Sequence, residues 1–282
     1  MPTEENASPF FNPVLFIRDG EPTPLNTRQN PYLYNDNGHG YHLPAPRGTL
    51  IQPAEELPDA SMGKCYSGIR SWKKPIETET GSYEITAFDF GVEEVHYEPL
   101  WATRETAQAF GMTLVKNHES MELVFDGLMT CEYTYGAFAA YQSPYIEMKR
   151  RRELLTVNAT DLEYHAFPHV FCSQDELPLV ISVARYRPAR KEILLADLWV
   201  LPKDCLYVPP KHFSEQYVDL HGNRNSALAC WGHLTKNSLV TQTTLGNNDV
   251  FKDPKTKPHY HEERHPTVHS FPRGYKMPQA EG

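Results

Sequence analysis

Glu163, His165 and His169 are the residues whose types and spacing come closest to chemistry, in the stretch Leu162-Glu-Tyr-His-Ala-Phe-Pro-His169. In an extended strand, positions 163, 165, 167 and 169 fall on one face. A carboxylate and two imidazoles projecting together can bind a divalent metal, or position a carboxylate or carbonyl substrate for acid–base work. Pro168 interrupts a regular ladder and works against the shared face. The blander alternative is a pair of satisfied or exposed histidines beside a loop. A second set is Lys211-His212, directly after Pro209-Pro210. At the mouth of a barrel these cations would hold an anionic substrate, whereas alone they are an ordinary surface dipeptide. The third set is His259, His261, His265 and His269 near the C-terminus. Local histidine density suits a metal chelate, but the surrounding sequence shows no core to build one in.

Other chemistries lose their support. There is no GxSxG elbow, no GxxxxGK[ST] loop, no GxGxxG opening a helix and no HExxH, so serine hydrolase, P-loop, Rossmann and zincin readings fall away. His259-x-His261-Glu262-Glu263 approaches the metal-cupin pattern of two histidines and a later glutamate, without visible flanking strands or glycines. Lys149-Arg150-Arg151-Arg152 reads as a solvated segment edge, or as an anion-binding or subunit-contact patch.

These residues must be positioned by strands. Three short apolar runs, Leu154 to Val157, Leu177 to Val183 and Ile193 to Leu201, are rich in β-branched and aromatic residues and bounded by Pro, Asn, Asp or charge. Their spacing suits hairpins better than crossover helices. Further strands are expected at Val14 to Ile17, across Tyr83 to Phe90, and at Val92 to Tyr97. Glu122 to Phe125 and Thr130 to Tyr135 are expected as a pair around an Asp126-Gly127 turn. Phe213 to Asp219 and Ala227 to Trp231 complete the set. One short helix is expected after Pro99, with Thr103 as N-cap, Glu105 and Gln108 near its first turn, and Gly111 closing it.

Composition agrees with a β protein. The 282 residues include 24 Pro and 16 Tyr, and 40% are hydrophobic. The formal charge of -9 argues against non-specific nucleic-acid or anionic-membrane binding. No apolar run approaches the roughly 20 residues of a spanning helix, and the N-terminus lacks a signal pattern, so a cytoplasmic protein is expected. The five scattered cysteines fit thiols better than a disulfide frame. Residues 1–60 read as an extended arm, 61–240 as a β-barrel core and 241–282 as an extended tail.

Two pieces resemble the ureidoglycolate lyase family, whose fold is a cupin-like β-barrel. The first is His96-Tyr-Glu-Pro-Leu-Trp-Ala-Thr103-Arg-Glu105, continuing to Phe110-Gly111. The second is Leu162-Glu163-Tyr-His165-Ala-Phe-Pro-His169 followed by Pro178-Leu-Val-Ile-Ser-Val183-Ala184. The resemblance, carried on to Lys211-His212, covers roughly 120 of the 282 residues. The resemblance implies a mainly β, cupin-like antiparallel barrel with few short helices and long ordered termini. It implies elimination from a small polar or carboxylate-bearing substrate. Glu163 or His165 would act as base and Lys211 or Arg185 would hold the carboxylate, with His169 and His212 as further substrate contacts. The implied protein is a lyase or isomerase, a homo-oligomer binding a small molecule, with His165 and His169 as the ligands of any divalent metal. The competing class is a non-catalytic β-rich binding or structural assembly protein.

Overall fold

The computed structural model describes residues 10–17, 23–26, 49–52, 62–78, 81–123, 129–135, 155–157, 162–164, 169–173, 178–209, 227–228, 237–243, 259–263 and 267–276. These residues are mainly β, with one α-helix and one 3-10 turn among them.

The core is built on one hairpin. Leu179–Arg187 and Glu192–Val200 pair antiparallel without a break, from Leu179 opposite Val200 to Arg187 opposite Glu192. Pro188 opens the connecting 3-10 turn, and Lys191 leaves it in the left-handed region at φ 52°. Both strands are buried almost throughout, so both faces of the hairpin are covered. On one face Leu179, Ile181, Val183, Leu194, Ala196, Leu198 and Val200 are buried against the helix and against Leu114, Phe171 and Leu206. On the other face Ala184, Ile193 and Leu195 pack with Tyr66, Phe88, Phe90 and Tyr97. Each fully buried aliphatic side chain contributes about 1.5–3 kcal/mol.

Two more strands share the outer edge of Glu192–Val200. Lys64–Ser67 pairs antiparallel with its first half and Glu98–Trp101 parallel with its second. Gly63 introduces the first of these at φ +91°, where a Cβ would lie 2.9 Å from the Leu195 carbonyl oxygen. Only glycine tolerates both conditions.

The hairpin belongs to a nine-stranded sheet that continues through Ala227–Leu228, Leu162–Tyr164, His259–Glu263, Gly81–Asp89 and Arg70–Thr78. A six-stranded antiparallel sheet runs Phe10–Ile17, Met129–Tyr135, Asn237–Thr243, His169–Ser173, Cys205–Val208, Thr113–Val115. Two three-stranded sheets complete the set: Thr23–Asn26, Glu119–Leu123, Thr49–Ile51, and Leu155–Val157, Thr267–His269, Val95–His96. Among the described residues none of the four sheets closes on itself. Residues 1–60 and 241–282 both contribute strands to these sheets.

The helix Arg104–Ala109 follows the expected signals. Thr103 caps it, and Gly111 follows its end at φ +72°. The capping box is closed by Thr106 rather than by an acidic residue. Thr106 donates its N–H to Thr103 Oγ1 at 3.1 Å, and Thr103 returns its own to Thr106 Oγ1 at 2.8 Å.

Two expected pairings do not form. The run at 154–157 is not a hairpin partner of the next apolar run: Leu155–Val157 pairs with Thr267–His269, in a different sheet. Nor do the strands flanking Asp126-Gly127 pair with each other. Glu119–Leu123 lies between Thr23–Asn26 and Thr49–Ile51, whereas Met129–Tyr135 lies between Phe10–Ile17 and Asn237–Thr243. A turn signal specifies a reversal only if the strands beside it lack better partners. The expected strand at 213–219 lies outside the described residues, as does the Asp126-Gly127 turn itself.

Candidate functional site

The central hairpin carries two polar residues inside its apolar runs, and the register sets them opposite each other: Ser182 faces Asp197. Ser182 donates its hydroxyl to Asp197 Oδ1 at 2.6 Å. The second carboxylate oxygen lies 3.0 Å from His269 Nδ1, which comes from the C-terminal strand Thr267–His269. All three are sealed from solvent. The Tyr97 ring stacks on the imidazole, with centroids 5.0 Å apart, and the Tyr97 N–H donates to the Val268 carbonyl at 3.0 Å. An isolated buried carboxylate would cost several kcal/mol. Here each oxygen has a partner, which is the condition for tolerating it.

The order is hydroxyl, carboxylate, imidazole. A nucleophilic triad places the imidazole between the other two, where it can take the hydroxyl proton. In this cluster the serine proton points to the carboxylate, and Asp197 joins the hairpin to the C-terminal segment. The same segment covers Trp199: Phe271 and Tyr275 stack on each other at 4.9 Å and pack on that indole, while Trp101 Nε1 donates to the Arg273 carbonyl. Burial raises the Tyr275 phenol above its usual range and pushes the Tyr207 phenol up to about 12.

Arg185 occupies the opposite face of the hairpin. Its guanidinium is buried, and Nη1 donates at 2.9 Å to the carbonyl of Ala109, the last residue of the helix. A helix C-terminus presents unsatisfied carbonyls and partial negative charge, so the helix end supplies an acceptor for this cation. Arg187, also buried, lies 3.7 Å from Glu192 across the hairpin end.

The remaining candidate residues are divided by the topology. Positions 163 to 169 do not form the single strand that would put Glu163, His165 and His169 on one face. Glu163 is in Leu162–Tyr164 of the nine-stranded sheet, and His169 begins His169–Ser173 of the six-stranded one. The intervening Pro168 cannot donate to a ladder. His165, Lys211 and His212 lie outside the described residues, as do the side chains of Glu163 and His169. The backbone register gives Glu163 and His169 these partners. His169 is the register partner of Val208, three residues ahead of Lys211. Glu163 is the partner of Tyr260, in the strand that carries His259 and His261. That strand has neighbours on both sides, at Leu162–Tyr164 and Gly81–Asp89, so the flanking strands invisible around His259 in sequence do exist.

Ser182, Asp197 and Tyr97 escape a reading by motif. The available signal was a lone serine and a lone aspartate within strands otherwise apolar. Among the described residues no group of three His, Cys, Asp or Glu is placed to hold a metal, and no helix is long and apolar enough to cross a membrane. Compared with known proteins, the chain matches no family model, no curated protein and no solved structure.

Proposed function

We propose that this chain is a small-molecule enzyme with a cupin-like core, a lyase or isomerase acting on a small polar or carboxylate-bearing substrate in the manner its resemblance to ureidoglycolate lyases implies. The observation that supports the reading is the pairing of His169 with Val208. It runs the strand that ends at Val208, three residues before Lys211 in sequence, alongside the strand that begins at His169. Lys211 and His212 are the groups that would hold a carboxylate, whereas Arg185, cast with them, is buried with its guanidinium on the helix end. Glu163 or His165 would take the proton, and His169 would contact the substrate. A divalent metal, where one is carried, falls to His165 and His169, whose imidazoles suit zinc, iron, copper or nickel.

The test is release of an oxo acid from a panel of small ureido- and hydroxy-carboxylates, with Glu163→Gln, His165→Ala and Lys211→Ala beside the wild type. Loss of an acid–base group lowers the rate by about 10²–10⁴. Full activity in all three variants removes these residues from the site. Elemental mass spectrometry on the same untagged protein reads whether a transition metal is carried and whether His165→Ala loses it.

A second reading, a non-catalytic binding or structural assembly protein, draws on the filled space beside the central hairpin. Phe110, Met112, Leu114, Phe171 and Leu206 pack against one face, while Tyr66, Phe88 and Tyr97 occupy the other. A metal-free protein of large mass in solution that turns over nothing in the panel would favour this reading over the first.

A further inference from the structure

We infer that Cys172 and Cys205 form a cross-strand dithiol that closes to a disulfide under oxidation. The antiparallel pairing of His169–Ser173 with Cys205–Val208 sets Cys172 directly opposite Cys205. Both side chains are buried, and neither is in a disulfide. Cys172 Sγ lies 3.4 Å from the Ser173 carbonyl oxygen, to which the thiol donates. Directly opposed residues project to the same side of a sheet with Cβ atoms about 4.5–5.5 Å apart. A disulfide needs about 3.5–4.5 Å between Cβ atoms, so a small inward shift of the two strands closes the bond.

That shift leaves the bond strained. Strained disulfides are the more readily reduced ones, which is the behaviour of a reversible switch rather than of a permanent staple. The chain between the two cysteines contains the whole central hairpin, Leu179–Arg187 and Glu192–Val200. Closing the pair therefore ties the base of the core into one covalent loop. Access is the limiting step, because both sulfurs are covered. Cys205 pairs on its other side with Val115 of Thr113–Val115. That strand has three residues and forms the end of the sheet, so its fraying is the shortest route for a small oxidant.

The oxidant is a small-molecule disulfide of the glutathione type. One cysteine thiolate attacks it, forming a mixed disulfide and releasing one equivalent of the small thiol. The second cysteine thiolate then displaces the other equivalent. The protein loses two hydrogens, and the oxidant is reduced to two thiols.

The experiment treats the native full-length wild type with oxidised glutathione, blocks the remaining thiols by alkylation, and maps linked peptides by mass spectrometry. Expected is a Cys172–Cys205 link formed in the folded protein and reversed by excess reduced glutathione. Glutathione adducts on either cysteine without the link would overturn the inference. So would a dominant pairing that uses Cys65, Cys131 or Cys230, or formation of the link only after unfolding in urea. A chain with Cys65, Cys131 and Cys230 replaced by Ser is expected to give the same link and to lose it in Cys205→Ser. Should these variants not fold, the wild-type map still decides the question.

Discussion

The stretch 179–200 and the stretch 155–173 are similar in length and were read from sequence by the same rule, yet they fold by different logic. The first makes one hairpin whose two strands are each other's principal partners, paired at every position of Leu179–Arg187 and Glu192–Val200. The second makes three short strands that join three different sheets. Leu155–Val157 pairs with Thr267–His269, Leu162–Tyr164 with His259–Glu263, and His169–Ser173 with Asn237–Thr243 and Cys205–Val208. The difference lies in apolar length. A nine-residue apolar strand buries enough area to fix its register with the neighbour that the turn delivers. A strand of three to five residues takes its register from wherever a partner face is left open. Glu163, His165 and His169 fall in the second stretch, so their arrangement depends on remote segments.

The comparison can be broken most severely at Asp197, a carboxylate on which hairpin and C-terminal segment converge. Asp197→Ala leaves Ser182 and His269 buried without it. Removing one partner of a buried pair costs about 3–5 kcal/mol, read as a lower urea midpoint with unchanged slope. Leu198→Ala, in the helix-side cluster, comes next. The loss there is about 2–5 kcal/mol, and equal folding stability in this variant would show that the hairpin is not the core. Thr103→Ala opens the capping box of the helix that covers this face, at about 1 kcal/mol.

Alkaline pH gives a more gradual effect through Tyr207, next to His169–Ser173 in the six-stranded sheet. Its folded value of about 12 lies above the ordinary value of 10.0. The unfolded chain therefore releases this proton first. Stability from this group is complete below pH 10 and is lost as pH rises to 12, with a slope of up to about 1.4 kcal/mol per pH unit. Ultraviolet titration of tyrosinate should show a phenol that ionises only at or beyond that range. A phenol population titrating entirely near 10 would contradict the burial of Tyr207. Amide exchange sharpens the same contrast. The amides of 179–200 are expected to exchange by global unfolding, and those of Leu155–Val157 and Leu162–Tyr164 by local opening at much lower cost.

Much of the framework was legible in the sequence for local reasons. Thr103 and Gly111 mark the helix because capping and left-handed closure are decided within a few residues. The runs near 179 and 193 mark strands because both are apolar, and a short break before Glu192 turns one back on the other. Less was legible where the chemistry was expected. The strand beginning at Leu179 continues four residues past Val183, through Arg185 and Arg187, beyond the end of the apolar run. In the fold Arg185 meets a helix end and Arg187 approaches Glu192. His269 read as one histidine of a polar tail. It is buried because Asp197, 72 positions earlier, offers it a carboxylate.

By itself the sequence determined the mainly β character, the capped helix and the central hairpin, since apolar runs, turn residues and caps act over short distances. Tertiary structure alone decided that Glu163 and His169 belong to different sheets, that Ser182, Asp197 and His269 meet, and that Cys172 faces Cys205. Each of those outcomes depends on the register between strands far apart in the chain, and a register is set by the face left open for burial rather than by the residues that come to lie opposite one another.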